Sequence, residues 1–205
     1  MVSEPERGNR RPRLGAVILA AGAGSRLGGV AKALLVTQGL TYLERIVGTA
    51  RGKVVGLHDG VIVVGPPFAE AVAAHARTLG LRVAVNAEPE RGMASSIAIG
   101  FATLASGDAD AAWLWPVDHP GVEAATLRAL VAALGSHQVA RPRFESRGGH
   151  PPLVARSLWA QLASCTEMPD GARGVIAAAD VVEVAVTDAA VVRDVDTRAD
   201  AERIA

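Results

Sequence analysis

"AVILAAGAGSRLGGVAKALL", residues 16–35, decides how the rest of the chain is read. It opens as an apolar run, passes through Gly22, Gly24 and Gly28, and carries two cations, Arg26 and Lys32. A short apolar run that ends on glycine is the pattern of a buried strand giving way to a loop. Glycines let backbone N–H groups approach an anion with no Cβ in the way, and the cations set the sign of the guest. Spacing excludes two familiar anion loops. A dinucleotide fingerprint needs G-x-G-x-x-G, whereas three residues separate Gly24 from Gly28; a P-loop needs Gly-Lys-Ser/Thr, whereas Lys32 stands between Ala31 and Ala33.

Working outward, strand and helix signals alternate. "GVIVVG", "LRVAVN" and "AAWLWPVD" read as further strands, and "TYLERIVGTAR" reads as a helix with Thr41 as N-cap. "PPFAEAVAAHARTLG" reads as a helix started by proline. "GMASSIAIGFATLA" places Met93, Ile97, Phe101 and Leu104 on one helical face, and "VEAATLRALVAALG" closes at Gly135. Residues 138–155 look irregular. "VVEVAV" and "VVRDVD" then read as strands, with Thr197 and Asp200 at capping-box spacing before a last helix. Repeated β-α-β units predict an α/β fold, a single Rossmann-like three-layer domain with a mostly parallel sheet over residues 14–205, preceded by a loose tail, residues 1–13. Ligands of such sheets sit beyond the carboxyl ends of the strands, so Gly22, Asn86 and Asp118 are expected on one rim.

Totals bound the function. The chain has 205 residues, enough for one domain with a substantial core. Lys plus Arg and Asp plus Glu are both 21, so nothing points to a nucleic-acid or membrane-surface partner, and any anion site must be local. No apolar run nears the roughly 18 residues needed to span a bilayer, and the charged start lacks a signal-peptide core, so the expectation is cytoplasmic. Cys165 is the only cysteine, which leaves no intrachain disulfide and reads as a small buried hydrophobe.

The strand followed by L-A-A-G-x-G-x-R-L-G and a lysine resembles the signature of nucleotidyltransferases that activate small phosphorylated molecules. "NAEPERGMASSIAIG", "WPVDHPGV", "GGHPPLV", "GARGVI" and "VRDVDTRADAERI" follow in the order found in the MobA-like NTP transferases. The set looks closest to the molybdenum cofactor cytidylyltransferase branch; "LAAG" is more like that branch than the guanylyl branch, which tends to "LAGG". The resemblance implies a nucleotide-diphospho-sugar transferase type of fold and a Mg²⁺-dependent transfer of CMP from CTP to molybdopterin or its molybdenum-loaded form, releasing pyrophosphate. The alternatives are a guanylyltransferase, a transferase for another phosphorylated metabolite, and a non-catalytic cofactor-binding or delivery protein. A molybdoenzyme or its chaperone is the implied protein partner.

By the same resemblance, the backbone of Leu19, Ala20, Ala21, Gly22 and Gly24 cradles the nucleotide, and Arg26 and Lys32 neutralise its phosphates. Asp118, at a strand end, either caps the next turn or binds Mg²⁺; the family match favours metal, a hard ion that bridges carboxylate to phosphate. Asp194 and Asp196, two apart in an expected strand, share a face, and at least one should touch metal or substrate. Asn86, Gly92, Ser95 and Ser96 should flank base and ribose at a helix N-terminus, the serines being equally readable as ordinary caps. His150, in the family's Gly-His-Pro, either shapes the pocket or touches the acceptor. His119 replaces the Met or Gln that relatives place after the aspartate and could alter acceptor contacts. The stretch "RLGGVAK" is one residue longer than the usual Arg-to-Lys spacing. His58, His75 and His137 have no metal spacing and read as solvated.

Overall fold

The computed structural model describes residues 11–22, 29–52 and 55–195. Its strands are β1 (Leu14–Ala20), β2 (Val36–Thr37), β3 (Leu40–Thr41), β4 (Leu57–Val64), β5 (Arg82–Val85), β6 (Ala111–Pro116), β7 (Val139–Phe144), β8 (Arg147–Gly148), β9 (Leu153–Ala155) and β10 (Val181–Ala185). The helices are α1 (Tyr42–Arg51), α2 (Ala69–Thr78), α3 (Met93–Leu104), α4 (Ala124–Leu134), α5 (Trp159–Ala163) and α6 (Gly171–Ala177). The main sheet runs β10-β7-β9-β6-β1-β4-β5, with β8 attached to β7, while β2 and β3 form a separate hairpin. β1 lies between β4 and β6 and pairs parallel with both; β9 alone along the main order runs antiparallel to its neighbours β6 and β7.

Side-chain alternation along β1 builds the three layers. Ala16 and Ile18 pack with α1, α2 and α4, whereas Val17 and Leu19 pack with α3, α5 and α6. Helix α3 lies tight on the sheet because residue 100 is glycine: a Cβ there would stand 2.3 Å from Val17 Cγ1. Thr41 caps α1 as expected, accepting from the Glu44 N–H at 3.0 Å while Glu44 Oε2 accepts from the Thr41 N–H at 2.6 Å. That reciprocal pair contributes about 1 kcal/mol.

Four expectations need correction. Residues 138–155 are not irregular but form β7, β8 and β9. Their charged pattern hid the strand, because Arg141 on β7 is satisfied across the sheet by Glu183 on β10, its nitrogen Nε donating at 2.8 Å. Helix α2 starts at Ala69 rather than at the prolines, which form a turn ahead of it with Phe68 as the N-cap residue. Met93 is 62 % exposed, so the apolar part of the buried face of α3 begins at Ile97, after the buried Ser95 and Ser96. The described part of "VVRDVD", residues 191–195, is not a strand: Ala189–Val192 form a 3-10 turn, capped when Asp188 Oδ1 accepts from the Ala190 N–H at 3.0 Å, and Arg193 and Asp194 follow without sheet pairing. The predicted final helix with Thr197 and Asp200 lies outside the described residues.

Candidate functional site

Parallel pairing of β4, β1 and β6 brings their carboxyl ends to one edge. There the Val117 N–H donates to the Leu19 carbonyl at 3.1 Å and the Asn86 N–H donates to the Val64 carbonyl at 2.8 Å, so the predicted rim exists as a connected row of strand exits. Leu19 and Ala21 are buried and Gly22 is exposed at the mouth. Gly24, Arg26 and Asp196 lie outside the described residues.

Lys32 reaches this edge from the first loop. Its neighbours Ala31 and Ala33 are buried in the core, and its Nζ stands 3.6 Å from Asp118 Oδ2. The other oxygen, Asp118 Oδ1, is buried and accepts no hydrogen bond. A buried carboxylate oxygen without a donor is costly in a closed protein and natural in one that receives a cation. Asp118 is therefore not simply a turn cap, although its carbonyl does accept from the Val195 N–H at 2.9 Å.

That backbone bond belongs to a strap, residues 188–195, which crosses the rim. The His150 N–H donates to the Val191 carbonyl at 2.7 Å, and His119 Nδ1 stands 3.1 Å from the Ala190 carbonyl. Residue 149 must be glycine for this contact, because a Cβ would lie 2.5 Å from Val191 O. At the strap's start, Asp188 is 7 % exposed and its Oδ2 accepts from the Glu123 N–H at 2.9 Å and the Thr126 hydroxyl at 2.8 Å. A residue more than sixty positions away thus serves the N-terminus of α4. The sequence reading missed Asp188, and its only local signal was an acidic residue two before the Ala190 N–H it caps.

The strap delivers Asp194, whose Oδ1 stands 3.6 Å from His119 Nε2. His119 and His150 face each other with ring centroids 5.2 Å apart. Burial and the nearby His119 push the His150 pKa down to about 4, although Asp118 and Asp194 pull the other way. Lys32, Asp118, His119, His150 and Asp194, spread over the chain, therefore form one polar cluster.

Asn86, Ser95 and Ser96 form a second, self-satisfied group. Asn86 Nδ2 donates to Ser95 Oγ at 2.8 Å and Ser96 Oγ at 2.9 Å, its Oδ1 accepts from the Glu88 N–H at 3.0 Å, and Ser95 Oγ donates to the Gly92 carbonyl at 2.7 Å. All three side chains are buried, so the trio fixes the β5-to-α3 turn, with Gly92 at φ +94°. Beside it opens a cavity of about 440 Å³ lined by Asn86, Glu88, Arg91, Ser95, Ile99 and Thr166. His58, His75 and His137 stand apart from the rim but are not simply solvated: they contact Asp108, Thr41 and Asp180 at 2.7, 3.0 and 3.0 Å.

A family profile for the MobA-like NTP transferase domain matches residues 16–184. This chain belongs to that family. As a MobA-like NTP transferase domain, it is 34 % identical over 169 residues to the nicotine blue oxidoreductase of Paenarthrobacter nicotinovorans, spanning 79 % of this chain and 80 % of that protein. A shorter match, 58 % over 41 residues, is to the molybdenum cofactor guanylyltransferase of Acidiphilium cryptum, 20 % of this chain and 21 % of that one. Among solved structures, Rv0371c of Mycobacterium tuberculosis superposes with a TM-score of 0.78 at 30 % identity, over 94 % of this chain and 97 % of that chain. A second structure of Rv0371c, in complex with manganese, superposes with a TM-score of 0.73 at 27 % identity, over 94 % and 97 %. The fold is that of the nucleotide-diphospho-sugar transferases, as the resemblance implied.

Proposed function

We propose that this nucleotidyltransferase moves CMP from CTP to the terminal phosphate of molybdopterin or its molybdenum-loaded form. One observation carries the reading: Lys32 stands at Asp118 Oδ2 at the edge where the glycine turn leaves β1, and leaves the buried Oδ1 of the same carboxylate without a donor. In the reaction an acceptor phosphate oxygen forms a bond to the α-phosphorus, the α–β P–O bond breaks, and pyrophosphate carries away the electron pair. Two anions must approach, and Lys32, with Arg26 from the glycine loop, offsets their repulsion. Lys32 stabilises charge as it builds at phosphorus, while the backbone of residues 19–24 orients the nucleotide. Asn86, Gly92, Ser95 and Ser96 support its base and ribose end, next to the 440 Å³ cavity. His150, held neutral by burial, shapes the acceptor side with His119.

The orphaned Asp118 oxygen and the nearby Asp194 suit a divalent cation, with Asp196 as a further donor, and an all-oxygen donor set would favour Mg²⁺. Such an ion would supply charge neutralisation on the phosphates. The relative named a molybdenum cofactor guanylyltransferase supports the acceptor, and the manganese complex of Rv0371c supports a divalent ion.

The test is to incubate the chain with Mg²⁺, molybdenum cofactor and each NTP in turn. Pyrophosphate release and a cytosine dinucleotide are expected with CTP. Release with GTP instead reassigns the base, and release only with another phosphorylated acceptor reassigns the substrate. A redox reading has one observation behind it, the printed name of the 34 %-identical relative. Reduction of nicotine blue without any pyrophosphate release would favour it.

A further inference from the structure

His119 is enclosed at the rim, its side chain only 5 % exposed, and its ring is oriented by the Ala190 carbonyl. A carbonyl can only accept, so Nδ1, at 3.1 Å from the Ala190 carbonyl, carries the proton. With Nδ1 turned to that carbonyl, Nε2 is the ring nitrogen left facing the carboxylates. Nε2 faces Asp118 Oδ1 at 3.8 Å and Asp194 Oδ1 at 3.6 Å. Both distances exceed a hydrogen bond. They are a few tenths of an ångström wider than the roughly 3–3.5 Å between two donors that share an ion through bonds of about 2.1 Å. The donor-free oxygen of Asp118 is the same Oδ1 that faces His119, while Lys32 stands at Oδ2. An imidazole whose far nitrogen donates to a backbone carbonyl is the arrangement that orients histidine toward a metal.

We propose that His119 Nε2 is a direct ligand of the divalent cation at Asp118, giving a mixed nitrogen–oxygen site that takes Mn²⁺-class ions in preference to Mg²⁺. The inference rests on the nucleotidyltransferase reading for the presence of an ion, and replaces that reading's all-oxygen donor set, with its preference for Mg²⁺, by one that includes an imidazole nitrogen. Among the described residues no three such side chains already stand close enough to hold an ion, so nucleotide phosphate oxygens and water complete the sphere. Imidazole suits transition ions, whereas Mg²⁺ strongly prefers oxygen. Metal selectivity here would therefore be a property of residue 119.

The probe is Mn²⁺, added alone and with CTP, to uniformly ¹⁵N-labelled and unlabelled protein, read by pulsed electron paramagnetic resonance. Directly bound imidazole nitrogen gives a hyperfine coupling that changes with the isotope. The coupling should appear in the unaltered chain, persist in His150→Gln and vanish in His119→Gln, whose Mn²⁺ affinity should fall about tenfold or more. Competition by Mg²⁺ should be weak against the unaltered chain and strong against His119→Gln. Bound Mn²⁺ without nitrogen coupling in the unaltered chain overturns the inference and leaves the transferase reading standing. Coupling lost in His150→Gln but kept in His119→Gln also overturns it. Failure to bind Mn²⁺ even with CTP overturns both. The spectrum of the unaltered chain decides the matter even if His119→Gln does not fold.

Discussion

The Lys32 ammonium and the Asp118 carboxylate meet at 3.6 Å although 86 positions separate them, and the side chains at this rim divide into those that wait for a guest and those already satisfied. Asp118 Oδ1 belongs to the first kind, with Lys32 beside it at Oδ2. Lys32→Ala should lower kcat for pyrophosphate release by about a hundredfold while the unfolding midpoint moves little, because a preorganised cation is removed from the reacting phosphates. His150 gives a pH signature. Its folded pKa, about 4, lies below the ordinary 6.5, so the unfolded chain binds the extra proton first. The associated stability is fully present above pH 6.5 and is lost as pH falls toward 4, up to about 3 kcal/mol. Urea unfolding between pH 4 and 7 should show that slope, and His150→Gln should flatten it. An unchanged slope would move the acid sensitivity elsewhere.

Among elements, the strap of residues 188–195 does the most with the least regular structure. It has one short 3-10 turn, yet it binds Asp118, His119 and His150 through backbone groups. Asp188 anchors it to α4 through charge-assisted bonds to Glu123 and Thr126. Asp188→Ala should cost about 2–4 kcal/mol in chemical denaturation, since buried donors are left unmatched. It should also lower activity though Asp188 touches no substrate; loss of stability with full activity would show that the strap need not be held. The strap was hard to read because "VVRDVD" alternates like a strand, and only the distant α4 reveals what Asp188 does. β7 was lost for a similar reason, its arginine being neutralised across the sheet. The exits of β1, β5 and β6 were legible because apolar runs ended in Gly22, Asn86 and Asp118. The pairing of Asn86 with two serines was not, since a sequence shows hydroxyls near a helix start but not which amide they satisfy.

For the whole molecule, Cys165 reports on one layer: it has no exposed surface and packs among α3, α5 and α6, its thiol donating to the Ala94 carbonyl at 3.4 Å. Burial raises its pKa, so thiolate is scarce. Labelling by a thiol reagent should therefore be slow in the native chain and should follow the global unfolding curve in urea. Rapid labelling at low urea would show that the layer of α3, α5 and α6 opens separately from the rest. Among the described residues no helix is long and apolar enough to cross a membrane.

β1, near the start of the chain, occupies the middle of the sheet, and its exit meets residues as late as Asp194. A ribosome that has finished β6 has already made every strand of the central parallel core, yet the rim still lacks His150 and the strap. Competence for chemistry must consequently arrive after shape during synthesis. A half-made chain holds the scaffold of this edge without the residues that close it from the far side.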